Sequence, residues 1–369
     1  MRFTLLAHEV GEYGGQESAI ASFVKYANNS GHIIDLISYK VDDQTASLKN
    51  VNVKLVPRPK LPFVFRFLWF FIVAPRCVHP SALTLACGAI VRTKTDAVWM
   101  HYWHLNHLRE VKWVCSYGGN LVRFLNQSIA RVVALLAEGF CIRRSYSGVM
   151  IAVSDSLAAE LKKYYKSADI IVVPNSVKQI ESIEEIVWQD DTVLFVGGEW
   201  GRKGLLKIAQ ACQIAAIQVD RKIKLRIAGN GPQSVIREIN GLDMVEVEHI
   251  KWTSDIGSFM GTGDIFVSAS KYETFGMAGH EAMGYGKRMV VTNVHGLGDA
   301  VDRAGTGRIT TGAVSDIARC IVETLNEVDG AHAHRAKSFA YISHNFSDAD
   351  LHGKYDEFIH HLESMEAAR

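Results

Sequence analysis

Short apolar runs alternate along the chain with longer stretches in which apolar residues recur every three or four positions. The first pattern suits a strand buried on both faces and the second a helix lying against it. Together they predict successive βα units winding a parallel sheet. The runs place strands at 3–7, 33–38, 53–56, 97–101, 112–116, 148–153 and 170–173, then at 192–196, 224–228, 245–249, 265–268 and 288–292. Between the two sets, VPNSVKQIESIEE (173–185) leaves the apolar pattern and reads as a linker. Two Rossmann-like domains are expected, 1–175 and 176–346. The remaining 347–369 predicts one amphipathic helix, with Ser347 as N-cap and Leu351, Tyr355, Phe358, Ile359 and Leu362 at helical spacing. That helix is expected to pack back towards the first domain.

Composition agrees with this division. At 369 residues the chain exceeds the length at which one hydrophobic core keeps growing. Its 48% hydrophobic and 21% charged residues exclude a disordered or fibrous chain. Cys77, Cys87, Cys115, Cys141, Cys212 and Cys320 lie scattered in apolar stretches, without the close spacing of zinc or redox motifs. The opening MRFTLLAHEVGE meets acidic residues too early for a signal peptide, so a cytoplasmic location is expected.

Charge changes the picture more. Net charge is +1 overall, but residues 1–177 carry +8 and residues 178–369 carry −7. The first half is therefore expected to face an anion, either a phosphate-bearing acceptor or a membrane surface. No nucleic-acid-binding motif accompanies the charge, and no nucleic-acid partner is expected.

The densest chemistry lies in DIFVSASKYETFGMAGHEAMGYGK (264–287), which reads as strand, loop and short helix stopped at Gly286. Glu273 falls in the loop and Glu281 in the helix. Backbone N–H groups around Thr274, Phe275, Gly276 and Met277 would emerge at a helix N-terminus, which favours an anion such as a diphosphate. LFVGGEWGRKGL (194–205) follows a strand with a glycine turn and the adjacent cations Arg202 and Lys203, a fork and a point charge for the same anion. GEYGGQES (11–18) puts Gly14 and Gly15 in a turn after the first strand, and RIAGNGP (226–232) contributes Gly229 and Gly231.

This set resembles the retaining GT-B glycosyltransferases of family 4, in which two glutamates flank seven residues and a segment like EAMGYG follows. The GRKG form in 201–204 looks like the loop of lipopolysaccharide core glycosyltransferases. AVSDSLAAEL (152–161) and VVPNSV (172–177) extend the likeness over most of the chain. The resemblance implies that Glu273 holds the transferred sugar and acts in catalysis, and that Glu281 holds the nucleotide ribose. It also implies that Arg202, Lys203, Gly14, Gly15, Gly229, Gly231 and 274–277 surround the donor.

One departure concerns a first-domain histidine that the family places after a strand. Here the region reads VCSYGGN (114–120), and Tyr117 or Gly118 stands at that position. His101, in WMHYWHLNH, is the substitute considered for the catalytic role, with His104 and Tyr117 as acceptor-side candidates. His101, His104 and His107 lack a carboxylate partner, so no metal site is expected. PRPKLPFVFRFLWFFIVAPRCV (57–78) is too short and too interrupted to span a bilayer. Its aromatic residues and Arg58, Lys60, Arg66 and Arg76 fit equally an interfacial segment or a buried helix with arginines at its ends.

The fold expected is α/β of GT-B type: two facing Rossmann-like domains with parallel sheets and a closing amphipathic helix, the donor held mainly by the second domain. The function expected is a retaining, metal-independent transfer from a UDP- or GDP-sugar to a saccharide acceptor, lipid-linked in surface polysaccharide or lipopolysaccharide assembly. The nucleotide-sugar is a co-substrate, and no other cofactor is implied. The alternatives are a soluble small acceptor, a sugar-nucleotide epimerase of the same architecture, and a non-catalytic binding module.

Overall fold

Among the described residues every strand pairing is parallel, as runs buried on both faces require. The computed structural model describes residues 1–80, 82–111, 121–143, 147–178, 180, 191–253, 255–327 and 330–367. These form two compact units, Met1–Ser176 with Asp348–Arg369, and Val177–Ser347.

In the first unit, β1 (Arg2–Leu6) is followed by the two-residue β2 (Glu9–Val10), then β3 (Ile33–Ser38), β4 (Lys40–Val41) and β5 (Val51–Leu55). After them come β6 (Leu83–Cys87), β7 (Thr95–Met100), β8 (Ser147–Ala152) and β9 (Asp169–Val172). The main sheet runs β5-β3-β1-β6-β7-β8-β9, and β2 pairs with β4 alone. Leu5 stands opposite Leu36 on one side and Leu85 on the other, with all three within 1% of full burial. β6 was not expected from its sequence, LTLAC, which has no Val or Ile. Its place between β1 and β7 supplies what propensity does not. The segment 112–116, expected as a strand, lies outside the described residues.

The last helix, Asp348–Ala367, belongs to this unit. Leu351, Tyr355, Phe358, Ile359 and Leu362 are all at most 4% exposed. Phe23, from helix Gly15–Asn29, meets the Tyr355 ring at 5.2 Å and the Phe358 ring at 5.8 Å.

The second unit contains β10 (Thr192–Val196), β11 (Ile223–Ala228), β12 (Val245–Ile250), β13 (Ile265–Ser268), β14 (Arg288–Thr292) and β15 (Gly307–Thr310). Their order is β12-β11-β10-β13-β14-β15. Helix Leu205–Gln218 packs with helix Val314–Asn326 through Ile208, Cys212, Ile317 and Ile321, all fully or almost fully buried. Beneath β13 and β14, Asp264 is inaccessible to solvent and receives the guanidinium groups of Arg288 and Arg335, the latter at 2.9 Å. This ties helix Ala331–Asn345 to the sheet. Because all strands point the same way, the loops after β10, β11, β12 and β13 emerge at one carboxyl edge, where such sheets bind ligands.

Candidate functional site

The loop after β10 is held in an unusual backbone course. Gly197 has φ +136°, Glu199 is left-handed at φ +50°, and Gly204 closes the short helix Trp200–Lys203 at φ +75°. Trp200 is buried, and its indole N–H donates to the Gly197 carbonyl at 3.0 Å. The loop after β11 presses against this one. A Cβ on Gly229 would lie 2.2 Å from the Gly197 carbonyl oxygen, and one on Gly231 would lie 2.2 Å from the Trp200 ring. Both glycines thus serve close loop packing, and that packing fixes where Arg202 and Lys203 leave the backbone.

The loop after β13 completes the arrangement. Phe275 is 3% exposed and stacks on His280 with ring centres 4.0 Å apart, while Thr274 beside it is buried. Gly276, left-handed at φ +88°, is the N-cap of helix Met277–Gly284. It has no side chain to offer, so first-turn N–H groups, including that of Met277, have no acceptor within the helix. Gly279 lies where a Cβ would be 2.4 Å from Leu297, which draws this helix end against helix Leu297–Ala304.

Glu273 sits between the two loops with its side chain 15% exposed. Its Oε1 is 3.1 Å from Arg202 Nη1 and 3.5 Å from Lys203 Nζ, and it accepts from Ser270 Oγ at 3.2 Å. Burial alone would raise this carboxyl; the charges of Lys203 and Arg202, with hydrogen bonds from Arg202 and Ser270, outweigh it and hold the group below its usual value. Arg202 is anchored further by Glu199 at 2.8 Å and by the Tyr272 carbonyl. A pocket bounded by Lys203, Glu273, Gly276, Gly279 and Leu297 opens beside this pair.

Glu281 lies one turn into the helix and behaves differently. Burial pushes its carboxyl up to about 7, with Lys178 and Lys203 opposing the shift. It is a carboxylate held short of full ionisation near two cations.

The first-unit candidates occupy the carboxyl edge of the other sheet. Gly14 is the N-cap of helix Gly15–Asn29, in extended backbone with no side-chain cap. His101 follows β7, is 7% exposed, and stacks on Trp99 at 4.8 Å. Burial, only partly opposed by a hydrogen bond with Asn175, lowers its pKa to about 3, so the imidazole is neutral. His104 opens helix His104–Val111, and its ring lies 4.8 Å from that of Tyr102. Tyr117 and Gly118 lie outside the described residues. Among the described residues no group of three or more His, Cys, Asp or Glu side chains is placed to hold a metal ion.

Two family models match the chain. One, described as Glycosyltransferase Family 4, covers residues 13–179, and the other, described as Glycosyl transferases group 1, covers residues 190–327. The chain is a family 4-like glycosyltransferase. Its fold is GT-B, shared along nearly the whole length with solved structures of low identity. WaaG, a glycosyltransferase involved in lipopolysaccharide biosynthesis, is 14% identical with a TM-score of 0.74, over 97% of this chain and 98% of that one. Sucrose-phosphate synthase from Thermosynechococcus elongatus is 15% identical with a TM-score of 0.78, over 99% of each chain. The Anabaena protein HepE, solved with UDP and glucose, is 16% identical with a TM-score of 0.69, over 97% of this chain and 99% of that one. No curated protein sequence matches it.

Two features of this glycosyltransferase escape a reading of its sequence. Glu138, 2% exposed, accepts from the His104 N–H at 2.7 Å and the Leu105 N–H at 3.0 Å, which caps helix His104–Val111 from the neighbouring helix Leu121–Arg143. The same long helix leaves Leu125, Ile129, Val132 and Leu136 exposed at helical spacing. Its stretch Phe124–Ile142 is long and apolar enough to cross a membrane by length and composition, with 28% of it buried. The helical spacing of those four residues was the available signal.

Proposed function

We propose that the chain transfers a sugar, with retention of anomeric configuration and without a metal ion, from a UDP- or GDP-sugar to a lipid-linked saccharide at the cytoplasmic face of a membrane. The observation that carries the reading is Glu273, gripped by Arg202 and Lys203 at the mouth of the helix that Gly276 opens. The two cations and the first-turn N–H groups offer a diphosphate the charge compensation that a divalent ion supplies elsewhere. With a diphosphate there, Glu273 would accept hydrogen bonds from the transferred sugar, and Glu281 from the ribose hydroxyls. The bond from the anomeric carbon to the phosphate oxygen breaks as the acceptor oxygen bonds to the same face. The departing phosphate takes the acceptor proton. HepE, the similar protein solved with UDP and glucose, supports a donor of this class.

The membrane part of the reading is supported by where apolar surface collects. Of the 17 exposed large apolar residues among the described ones, six lie between Leu61 and Ile72 and four on helix Leu121–Arg143. The two segments touch through Phe71 and Phe140, with ring centres 6.3 Å apart. Such a concentration, beside Arg58 and Arg76, suits an interface with anionic lipid.

The test is a panel of UDP- and GDP-sugars incubated with the purified protein in EDTA, followed by NMR of the released or transferred sugar. An α-linked donor giving an α-configured product supports the reading. An inverted product, or activity that returns only with manganese, would overturn the mechanism.

A further inference from the structure

Helix Phe63–Val73 has ten apolar residues and one exception, Arg66. Among the described residues the buried Nε of Arg66 has no hydrogen-bond partner, and no carboxylate lies within ion-pair distance of its guanidinium. Its main-chain carbonyl, by contrast, accepts from the Tyr39 hydroxyl. A charge half-sunk in apolar surroundings without a counter-ion is unfavourable unless an anion joins it.

The surroundings contain what such an anion would need. His8 follows β1 at the carboxyl edge of the sheet, with its ring 4.8 Å from Phe70 and stacked on Tyr39 at 5.8 Å. Its Nε2 is buried and has no hydrogen-bond partner among the described residues. Burial, then the charges of Arg58 and Arg66, lower its pKa to about 4, so it is neutral and able to donate through one nitrogen. Arg58 leans over the Tyr39 ring at 5.9 Å and pairs with Glu9 at 2.9 Å. Two arginines and one glutamate leave the cluster with a net positive charge. It lies next to the glycine loop that begins at Gly11, and it borders the apolar face formed by Phe65, Leu68, Trp69 and Ile72.

We infer that Arg66, Arg58 and His8 bind a phosphate group of the acceptor, whose apolar portion lies along the exposed face of helix Phe63–Val73. The inference rests on the lipid-linked acceptor of the proposed function and names its anionic group. Arg66 offers the fork that phosphate oxygens fit, and His8 offers a single N–H. Glu9 competes for Arg58, so occupancy of the site loosens that surface pair.

The experiment uses the full chain in thermal scans and titrations. The probes are monomeric dihexanoyl phosphatidic acid, uncharged dihexanoylglycerol and inorganic phosphate. Phosphatidic acid is expected to raise the melting temperature of the wild type, with affinity falling about tenfold or more in Arg66→Gln. Arg66→Lys, which keeps the charge without the fork, should fall between them. Free Arg66→Gln should melt at or above the wild type, since it loses an unpaired charge; a purely structural arginine would lower it. Phosphate alone acting through Arg66 would show that the anion suffices, and a requirement for the chains would show that the lipid is read as a whole; both support the site. Equal binding by wild type and Arg66→Gln, or dihexanoylglycerol matching phosphatidic acid, overturns it. Should Arg66→Gln fail to fold, Arg58→Gln at its exposed position provides the comparison, with weaker phosphatidic acid binding expected and unchanged binding counting against the site. UDP in the same scans reports separately on the transferase reading: stabilisation by UDP without any by phosphatidic acid removes this site alone.

Discussion

Arg202 Nη1 stands 3.1 Å from Glu273 Oε1, although one residue belongs to the loop after β10 and the other to the loop after β13. Lys203 Nζ reaches the same oxygen at 3.5 Å. This contact orders both cations and the carboxylate before any ligand arrives, which limits the rearrangement needed on binding.

Arg202→Ala and Lys203→Ala should each weaken UDP binding about tenfold or more while leaving uridine binding nearly unchanged, because only the diphosphate carries the charge they meet. Glu273→Gln should slow transfer and spare UDP affinity. Calorimetric titration of UDP and uridine against the three variants checks this. Equal losses for UDP and uridine would remove the diphosphate role.

Glu281 provides a pH signature. Its folded value near 7 exceeds the unfolded 4.5, so its protonated form is favoured by folding. Below about pH 4.5 both states are protonated and the group is neutral in effect. Between 4.5 and 7 the unfolded chain ionises first and stability declines; above 7 the penalty is constant. Glu281→Gln should therefore match the wild type near pH 4.5 and exceed it by about 1–2 kcal/mol at pH 8, allowing for partial exposure. Uridine, which does not titrate in this range, should bind the wild type more tightly as pH rises through 7, and Glu281→Gln should flatten that rise. Denaturant melts and uridine titrations across this range decide both points.

Asp264 is the shared acceptor of Arg288 and Arg335. Asp264→Ala removes the carboxylate shared by two buried guanidinium groups and should destabilise the second unit by about 3–5 kcal/mol. Calorimetry should show the loss in a transition protected by UDP. A loss under 1 kcal/mol would mean that water replaces the carboxylate.

Ile129 and Leu136 are 53% and 68% exposed. Replacing both with Ser should leave the melting temperature nearly unchanged but reduce co-sedimentation with phosphatidylglycerol vesicles at least tenfold, since each buried side chain contributes about 1.5–3 kcal/mol. Undiminished sedimentation would place lipid contact elsewhere.

Much of the second unit was legible because its signals are local. The strand before Gly197, the left-handed Gly276 and the Gly286 stop each depend on a few neighbouring residues, and Glu273, Arg202 and Lys203 came from such segments. Gly229 and Gly231 were equally visible, but the sequence could not say that Trp200 and the Gly197 carbonyl fill the space a side chain would need. Glu138 gave no sign at all, since its role is to cap a helix begun 34 residues earlier.

The sequence by itself determined the βα rhythm, the two-unit division near the linker and the amphipathic last helix, because hydrophobic periodicity reports which face of each element must leave water. Tertiary structure decided the rest. It made LTLAC a strand by giving it a neighbour on each side, and left ten apolar side chains of two separate segments exposed. It also buried the Arg66 Nε with no hydrogen-bond partner among the described residues. These outcomes depend on which distant residues fill the space around a side chain, and no local pattern encodes that.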